Sequence, residues 1–113
     1  MKLKLIAVLT LPFLAACSGH PAASKWSLVN AGDASIESIN VEFEGRATLT
    51  QSESNGGNYH CFWNARTPEM IALKCRLADD DAQERHFELS VDNEGRGVLS
   101  LDGKLIARYK KTP

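Results

Sequence analysis

Hydrophobic and polar residues alternate along most of the chain from residue 25 onward, which is the pattern of half-buried β-strands. The clearest case is the segment 87–92, where Phe87, Leu89 and Val91 alternate with polar residues. Turn-forming residues, chiefly glycine, asparagine and aspartate, interrupt the alternation at short intervals. The pattern predicts an all-β domain: a small antiparallel meander of about eight strands, folded as a sandwich or a small barrel.

The register of one hairpin follows from its turn. Residues 93–95 suit a three-residue loop with glycine at its last, left-handed position. Such a loop pairs Val91 with Gly97 and Leu89 with Leu99, which keeps one face of both strands apolar. We therefore expect this face to be buried in the core.

The last strand is ambiguous. An ideal two-residue turn at 102–103 would place Ile106 opposite Leu99. Ala107 and Tyr109 would then lie on the other face, so both faces of the strand would be partly apolar. A β-bulge or a second covered face would each explain this pattern.

An acidic run, Asp79–Asp81, separates two of the predicted strands. We predict a solvated loop here, with a short helix over 78–84 as the weaker alternative. A calcium loop is not indicated, because it needs spaced oxygen ligands and usually a glycine.

The N-terminus has the organisation of an export signal. Lys2 and Lys4 precede a stretch without charge, residues 5–16, which is interrupted by Pro12. The apolar part is too short to cross a bilayer as a helix. Residues 1–16 are therefore predicted to be a signal peptide.

The end of this segment, Leu14-Ala15-Ala16-Cys17, resembles the lipobox of bacterial lipoproteins, which is a leucine, two small residues and a cysteine. The resemblance implies that the Cys17 thiol receives a diacylglyceryl group and that the chain is cut just before it. Several acyl chains would give a stable membrane anchor. In the same family an aspartate after the cysteine often retains the protein at the inner membrane, so Ser18 implies the outer membrane.

These features divide the chain into three parts. Residues 1–16 form the lipoprotein signal peptide, 17–24 a flexible lipidated tether, and 25–113 the antiparallel β domain.

The whole chain has 113 residues, of which 43% are hydrophobic and 24% charged, so it has room for one small domain. Loss of the signal removes two lysines and no acidic residue, which moves the net charge from −1 to −3. We therefore expect no nucleic-acid partner.

Two cysteines remain after lipidation, and an even remainder in an exported protein predicts a disulfide between Cys61 and Cys75. Both residues lie on apolar faces of their strands, so the bond should be buried. A metal site with His60 or His86 is the alternative, but the ligand spacing does not favour it. A redox pair is disfavoured because the C-x-x-C spacing is missing.

A candidate partner-binding patch comprises His60, Phe62 and Met70, together with Ala72, which point away from the predicted core. Two alternatives remain open: a second sheet covers these residues, or they form an exposed apolar patch that binds a protein partner. Neither a nucleophile with a matching base nor a phosphate loop is recognisable, so we predict no catalytic residue, metal or cofactor.

We expect a non-enzymatic lipoprotein, held to the outer membrane by its lipid and facing the periplasm. Its partner would be an envelope protein: an assembly or secretion machine that it assists, or an enzyme that it inhibits. The alternative is a barrel that binds a small apolar ligand. A third hypothesis, a hydrolase with a site around His60 and the acidic run, is the weakest.

Overall fold

The computed structural model describes residues 19–30, 36–51, 57–78 and 80–112. The segment predicted to be a signal peptide and Cys17, the predicted lipidation site, lie outside the described residues. Within them the chain forms eight β-strands: β1 (Lys25–Asn30), β2 (Ile36–Val41), β3 (Arg46–Gln51), β4 (Tyr59–Thr67), β5 (Met70–Leu77), β6 (Asp80–Val91), β7 (Arg96–Leu101) and β8 (Lys104–Lys111).

The strands form a closed barrel in which each pairs antiparallel with the next in sequence and β1 pairs with β8. The predicted all-β antiparallel meander is confirmed, and of its two forms the barrel is the one adopted. Closure leaves neither outer strand with an unpaired edge.

Alternate side chains of every strand fill the barrel interior, as the period-two pattern requires. The largest fully buried side chains are Trp26, Tyr109, Phe87, Ile39, Leu49, Ile71, Leu73, Leu89, Leu99 and Cys75. Tyr59 and Phe87 meet edge to face, with ring centroids 5.3 Å apart. The core is therefore a packed apolar cluster that spans all eight strands.

The hairpin of β6 and β7 has the predicted register. Val91 pairs with Gly97 and Leu89 with Leu99. Gly95 has a φ of 79°, the left-handed conformation that glycine adopts without a steric cost. The turn geometry and the apolar face agree, and this combination made the register predictable.

A bulge resolves the ambiguity of β8. Leu99 pairs with Ala107, whereas Ser100 pairs with Leu105, so Ile106 is the extra residue. The bulge shifts the register by one residue, which turns Ala107 and Tyr109 into the core. Tyr109 is only 1% exposed.

The acidic run differs from the predicted loop. β6 begins at Asp80, which pairs with Leu77, while Arg76 pairs with Glu84. The prediction of a loop is therefore wrong for residues 80 and 81, and so is the weaker alternative of a helix. The register shift leaves residues 81–83 between these two pairs as extra residues of β6. Residue 79 of the acidic run lies outside the described residues.

The segment before β1 packs onto one end of the barrel instead of extending freely into solvent. Ala22 is fully buried, and its carbonyl oxygen accepts a hydrogen bond from the Trp26 indole at 3.0 Å. The imidazole of His20 contacts the carbonyl oxygen of Thr67 at 2.8 Å. Composition alone predicts flexibility here, but these polar contacts and the burial of Ala22 hold residues 20–24 in place.

We call this the near end of the barrel; it contains residues 20–24 and the turns at 42–45, 68–69 and 92–95. The opposite, far end contains the turn at 102–103. Every strand runs between the two ends, and successive strands run in opposite directions.

Candidate partner-binding wall

The sequence of β4 places two residues of the predicted patch on the outside of the barrel. Tyr59 and Cys61 are buried in the interior. His60, which lies between them, and Phe62, which follows Cys61, are exposed. The Phe62 side chain is 69% exposed, which is unusual for a large aromatic residue in the middle of a paired strand. Phe62 is therefore the natural centre of any contact surface on this side.

The strand register supplies the neighbours of Phe62. Arg46 on β3 lies directly opposite on one side, and Lys74 on β5 lies opposite on the other. His86 on β6 continues the row beyond Lys74. Side chains that face each other across a sheet lie about 4.5–5.5 Å apart at their Cβ atoms. The exposed ring is thus flanked by two cations.

A second row lies next to the first. His60 is opposite Thr48 on one side and Arg76 on the other. Arg76 donates a hydrogen bond to Glu84 at 2.9 Å, and the second oxygen of Glu84 lies 3.1 Å from His86. The carboxylate of Glu84 therefore fixes the positions of two side chains at the edge of the surface.

We call the outward side of β3, β4 and β5 the β3–β5 wall. Its exposed side chains that bear on binding are Arg46, His60, Phe62, Arg66, Lys74 and Arg76. A shallow hollow of about 390 Å³ extends from β4 and β5 of this wall across β6 to the turn at 102–103, where Glu88 and Asp102 also line it. Phe62, Arg66 and Lys74 line the hollow together.

Met70 does not join this wall at Phe62. It begins β5 at the near end, where it pairs with Thr67 and Ser90. Four residues separate it along β5 from Lys74, the partner of Phe62, which corresponds to about 13 Å. The structure therefore brings together His60 and Phe62 of the predicted patch and leaves the half-buried Met70 apart.

Arg46, Lys74 and Arg76 were missing from the predicted patch. Their places beside Phe62 and His60 depend on the register between strands that are joined by turns of uncertain length. One signal was available in the sequence, because the segments that form β3, β4 and β5 contain no aspartate or glutamate.

The disulfide lies directly behind the wall. Cys61 and Cys75 face each other across β4 and β5 with their Cα atoms 4.1 Å apart, and both are buried. The prediction of a buried disulfide between neighbouring strands is confirmed. The bond links the two strands that carry Phe62 and Lys74, which favours a rigid surface.

Trp63 supports the near end of the same strand. Its indole donates a hydrogen bond to the carbonyl oxygen of Glu42 at 2.7 Å, and its ring meets the His20 ring edge-on with centroids 6.1 Å apart. β4 is therefore tied both to the turn at 42–45 and to the docked N-terminal segment.

Within the ranges that the structure describes, no group of three or more His, Cys, Asp or Glu side chains is placed to hold a metal ion. No helix in those ranges is long and apolar enough to cross a membrane.

The chain matches no protein-family model, and no curated protein or solved structure matches it either. Its function is therefore inferred from the β3–β5 wall, the docked N-terminal segment and the lipobox resemblance.

Proposed function

We propose that this protein is a non-enzymatic lipoprotein of the outer membrane that faces the periplasm and binds an envelope protein through the β3–β5 wall. The partner is an assembly or secretion machine that the protein assists, or an enzyme that it inhibits. The observation that carries the proposal is the 69% exposed Phe62 at the centre of a wall backed by a buried disulfide.

The wall has the composition of a protein-binding surface. Interfaces are enriched in aromatic residues and arginine, and the residues that contribute most to affinity are often of these types. Here an exposed phenylalanine has arginine and lysine as its direct cross-strand neighbours. A paired sheet loses little conformational entropy when a partner binds, which favours affinity.

The docked N-terminal segment supports the role of the anchor. His20 is held at the near end of the barrel, and Cys17 precedes it by three residues, which span roughly 10 Å when extended. A lipid on Cys17 would therefore keep the near end close to the membrane. The strands of the wall would run away from the bilayer, so that Phe62 would face sideways toward other envelope proteins.

The filled interior favours the β3–β5 wall, and not a cavity inside the barrel, as the binding site. A barrel that holds a small apolar molecule needs space between its inward side chains. Here Trp26, Phe87 and Leu49 are among the large side chains that occupy the centre. An exposed wall is the better candidate.

The test is crosslinking in intact cells with a photoreactive benzophenone amino acid at position 62. The matched control has the same amino acid at position 29, because Val29 is 61% exposed on β1, the strand farthest around the barrel from β5. We expect one reproducible protein adduct from position 62, identified by mass spectrometry, and none of that mass from position 29. Equal adducts from both positions, or no protein adduct from position 62, would contradict the proposal.

The anchor is tested separately with Cys17→Ala. We expect this variant to lose both acyl labelling and membrane association. Acyl labelling that persists in the variant would show that the lipid is not on Cys17.

A further inference from the structure

Among the strands, acidic residues occur only in β2 and β6. β3, β4 and β5 carry Arg46, Arg66, Lys74 and Arg76 and contain no acidic residue, although the whole chain has a net charge of −1. Because these three strands are consecutive in the barrel, their cations lie on one side of it. Carboxylates border this side: Glu42 lines a hollow with Arg46 and Phe62, and Glu88 lines another with Phe62 and Lys74. β8 also carries four cations and no acidic residue, so what distinguishes the β3–β5 wall is the exposed Phe62 between Arg46 and Lys74.

We infer that the partner surface bound by the β3–β5 wall is an acidic protein surface, with an apolar pocket for Phe62 surrounded by aspartate or glutamate. The inference rests on the proposed function, since it specifies the chemistry of the partner. Like charges on a binding surface raise the rate of encounter with a partner of opposite charge and disfavour partners of the same charge.

The availability of the cations supports this inference. Arg46, Arg66 and Lys74 are exposed and have no ion-pair partner among the residues that the structure describes. By contrast, Arg76 at the edge of the wall is already paired with Glu84. Arg46 and Lys74, the two cations that flank the exposed ring, are therefore available to carboxylates of another molecule.

The geometry of the row specifies how such a partner would bind. The Phe62 ring lies between Arg46 and Lys74, so an apolar contact would have a cation on each side. Two carboxylates flanking an apolar pocket would satisfy this arrangement. Exclusion of water by the ring would strengthen both ion pairs, because charges interact more strongly in a less polar environment.

An acidic protein fits the wall better than an anionic lipid surface does. The docked segment 20–24 lies at the near end, so an anchor on Cys17 would bring that end, and not the side wall, to the bilayer. For the wall to contact a flat bilayer, the barrel would have to lie with its axis parallel to the membrane. The short link between Cys17 and His20 disfavours this orientation.

The experiment uses the full-length chain in cells, with the benzophenone amino acid at position 62. Arg46→Glu and Lys74→Glu are introduced together to reverse the charges beside the ring. The matched control reverses Lys104 and Lys110, two exposed lysines of β8. A third variant, Arg46→Lys with Lys74→Arg, keeps the charges while exchanging the side chains. Protein abundance and oxidation of the Cys61–Cys75 pair show whether each variant folds.

We expect the Arg46→Glu/Lys74→Glu variant to lower the yield of the protein adduct by about tenfold or more. The Lys104→Glu/Lys110→Glu variant should leave the yield unchanged, and the charge-conserving variant should retain most of it. The crosslinked segment of the partner should be rich in aspartate and glutamate.

An adduct whose yield survives the charge reversal would overturn the acidic partner while leaving the proposed function intact. A phospholipid adduct in place of a protein adduct would overturn it in favour of a membrane contact. Absence of any adduct at position 62 in the unaltered background would instead remove the proposed function itself. A variant that fails to accumulate in oxidised form is replaced by the single change Lys74→Glu, for which a fall in yield is again expected.

Discussion

The hydroxyl of Tyr109 donates a hydrogen bond to the backbone carbonyl oxygen of Ile36 at 2.7 Å, and the contact is buried. It joins β8 to the beginning of β2, although these strands are separated in the barrel by β1. The bulge at Ile106 makes the contact possible, because it turns Tyr109 into the core. The bulge in β8 thus allows a hydrogen bond between β8 and β2, the strands on either side of β1, where the barrel closes.

Removing this hydroxyl should destabilise the fold. Tyr109→Phe keeps the ring but leaves the buried carbonyl oxygen of Ile36 without its partner. We expect a loss of about 1–3 kcal/mol in the free energy of unfolding, measured by chemical denaturation. Tyr59→Phe is a useful comparison, since Tyr59 also lies in the core. An unchanged stability in Tyr109→Phe would mean that the hydrogen bond contributes nothing.

Tyr109 should also make the fold sensitive to alkali. Burial raises the pKa of Tyr109 well above its ordinary value of about 10. Its contribution to stability is therefore fully present below about pH 10 and is lost as the pH rises toward the folded-state pKa. We expect the stability of the native protein to fall more steeply above pH 10 than that of Tyr109→Phe, as followed by circular dichroism. Parallel curves would contradict this account.

A side chain at Gly97 should crowd the core. A Cβ atom at this position would lie 3.2 Å from the Trp26 ring and 3.3 Å from a methyl group of Leu89. Gly97→Ala should therefore cost about 1–3 kcal/mol of stability, because the tightly packed indole has to shift. Ser100→Ala on the same strand is the control and should change stability much less. Equal stability of the two variants would show that the core relaxes around the added methyl group.

The disulfide should contribute substantially to so small a domain. Cys61 and Cys75 are 14 residues apart, and a loop of about this length corresponds to about 3 kcal/mol in the chain-entropy model. We expect Cys61→Ala/Cys75→Ala to lose about that amount in chemical denaturation. Reducing agent should destabilise the native protein and leave the double variant unaffected. Two free thiols in the unreduced native protein would disprove the bond.

Asp92 should stabilise the turn of β6 and β7 in a pH-dependent way. Its carboxylate accepts hydrogen bonds from the backbone amide of Arg96 at 3.0 Å and from the Arg96 side chain at 2.8 Å. These contacts hold the pKa of Asp92 below its usual value. The contribution is therefore present above about pH 4 and is lost as the pH falls through the folded-state pKa.

Asp92→Asn should remove this dependence. We expect the variant to be less stable than the native protein at neutral pH and the difference to narrow below pH 4, in denaturation curves recorded across the acid range. If the difference in stability between the native protein and Asp92→Asn stays constant with pH, the effect of the variant does not come from ionisation of Asp92.

The elements that could be predicted from the sequence were those with a local cause. The β6–β7 register follows from a turn that sets its own strand pairing, and the Cys61–Cys75 bond follows from two cysteines on apolar faces. The acidic run was predicted wrongly, because β5 continues to pair with β6 beyond the point where composition suggests a loop.

The candidate site was only half predictable. The alternation in β4 placed His60 and Phe62 on one face without any knowledge of the partner strands. Arg46 and Lys74 entered the site only through the registers of β3 and β5, in which a shift of one residue would turn each side chain to the other face.

The sequence by itself determined the all-β class, the antiparallel meander, the cysteine pairing and the outward position of Phe62, because each depends on a period of two or on neighbouring turns. Only the tertiary structure decided that the sheet closes into a barrel, that β8 carries a bulge, and that residues 20–24 dock at the near end. These features depend on contacts between residues far apart in the chain, such as Tyr109 with Ile36. Such contacts form only when the packing of the whole core makes them favourable.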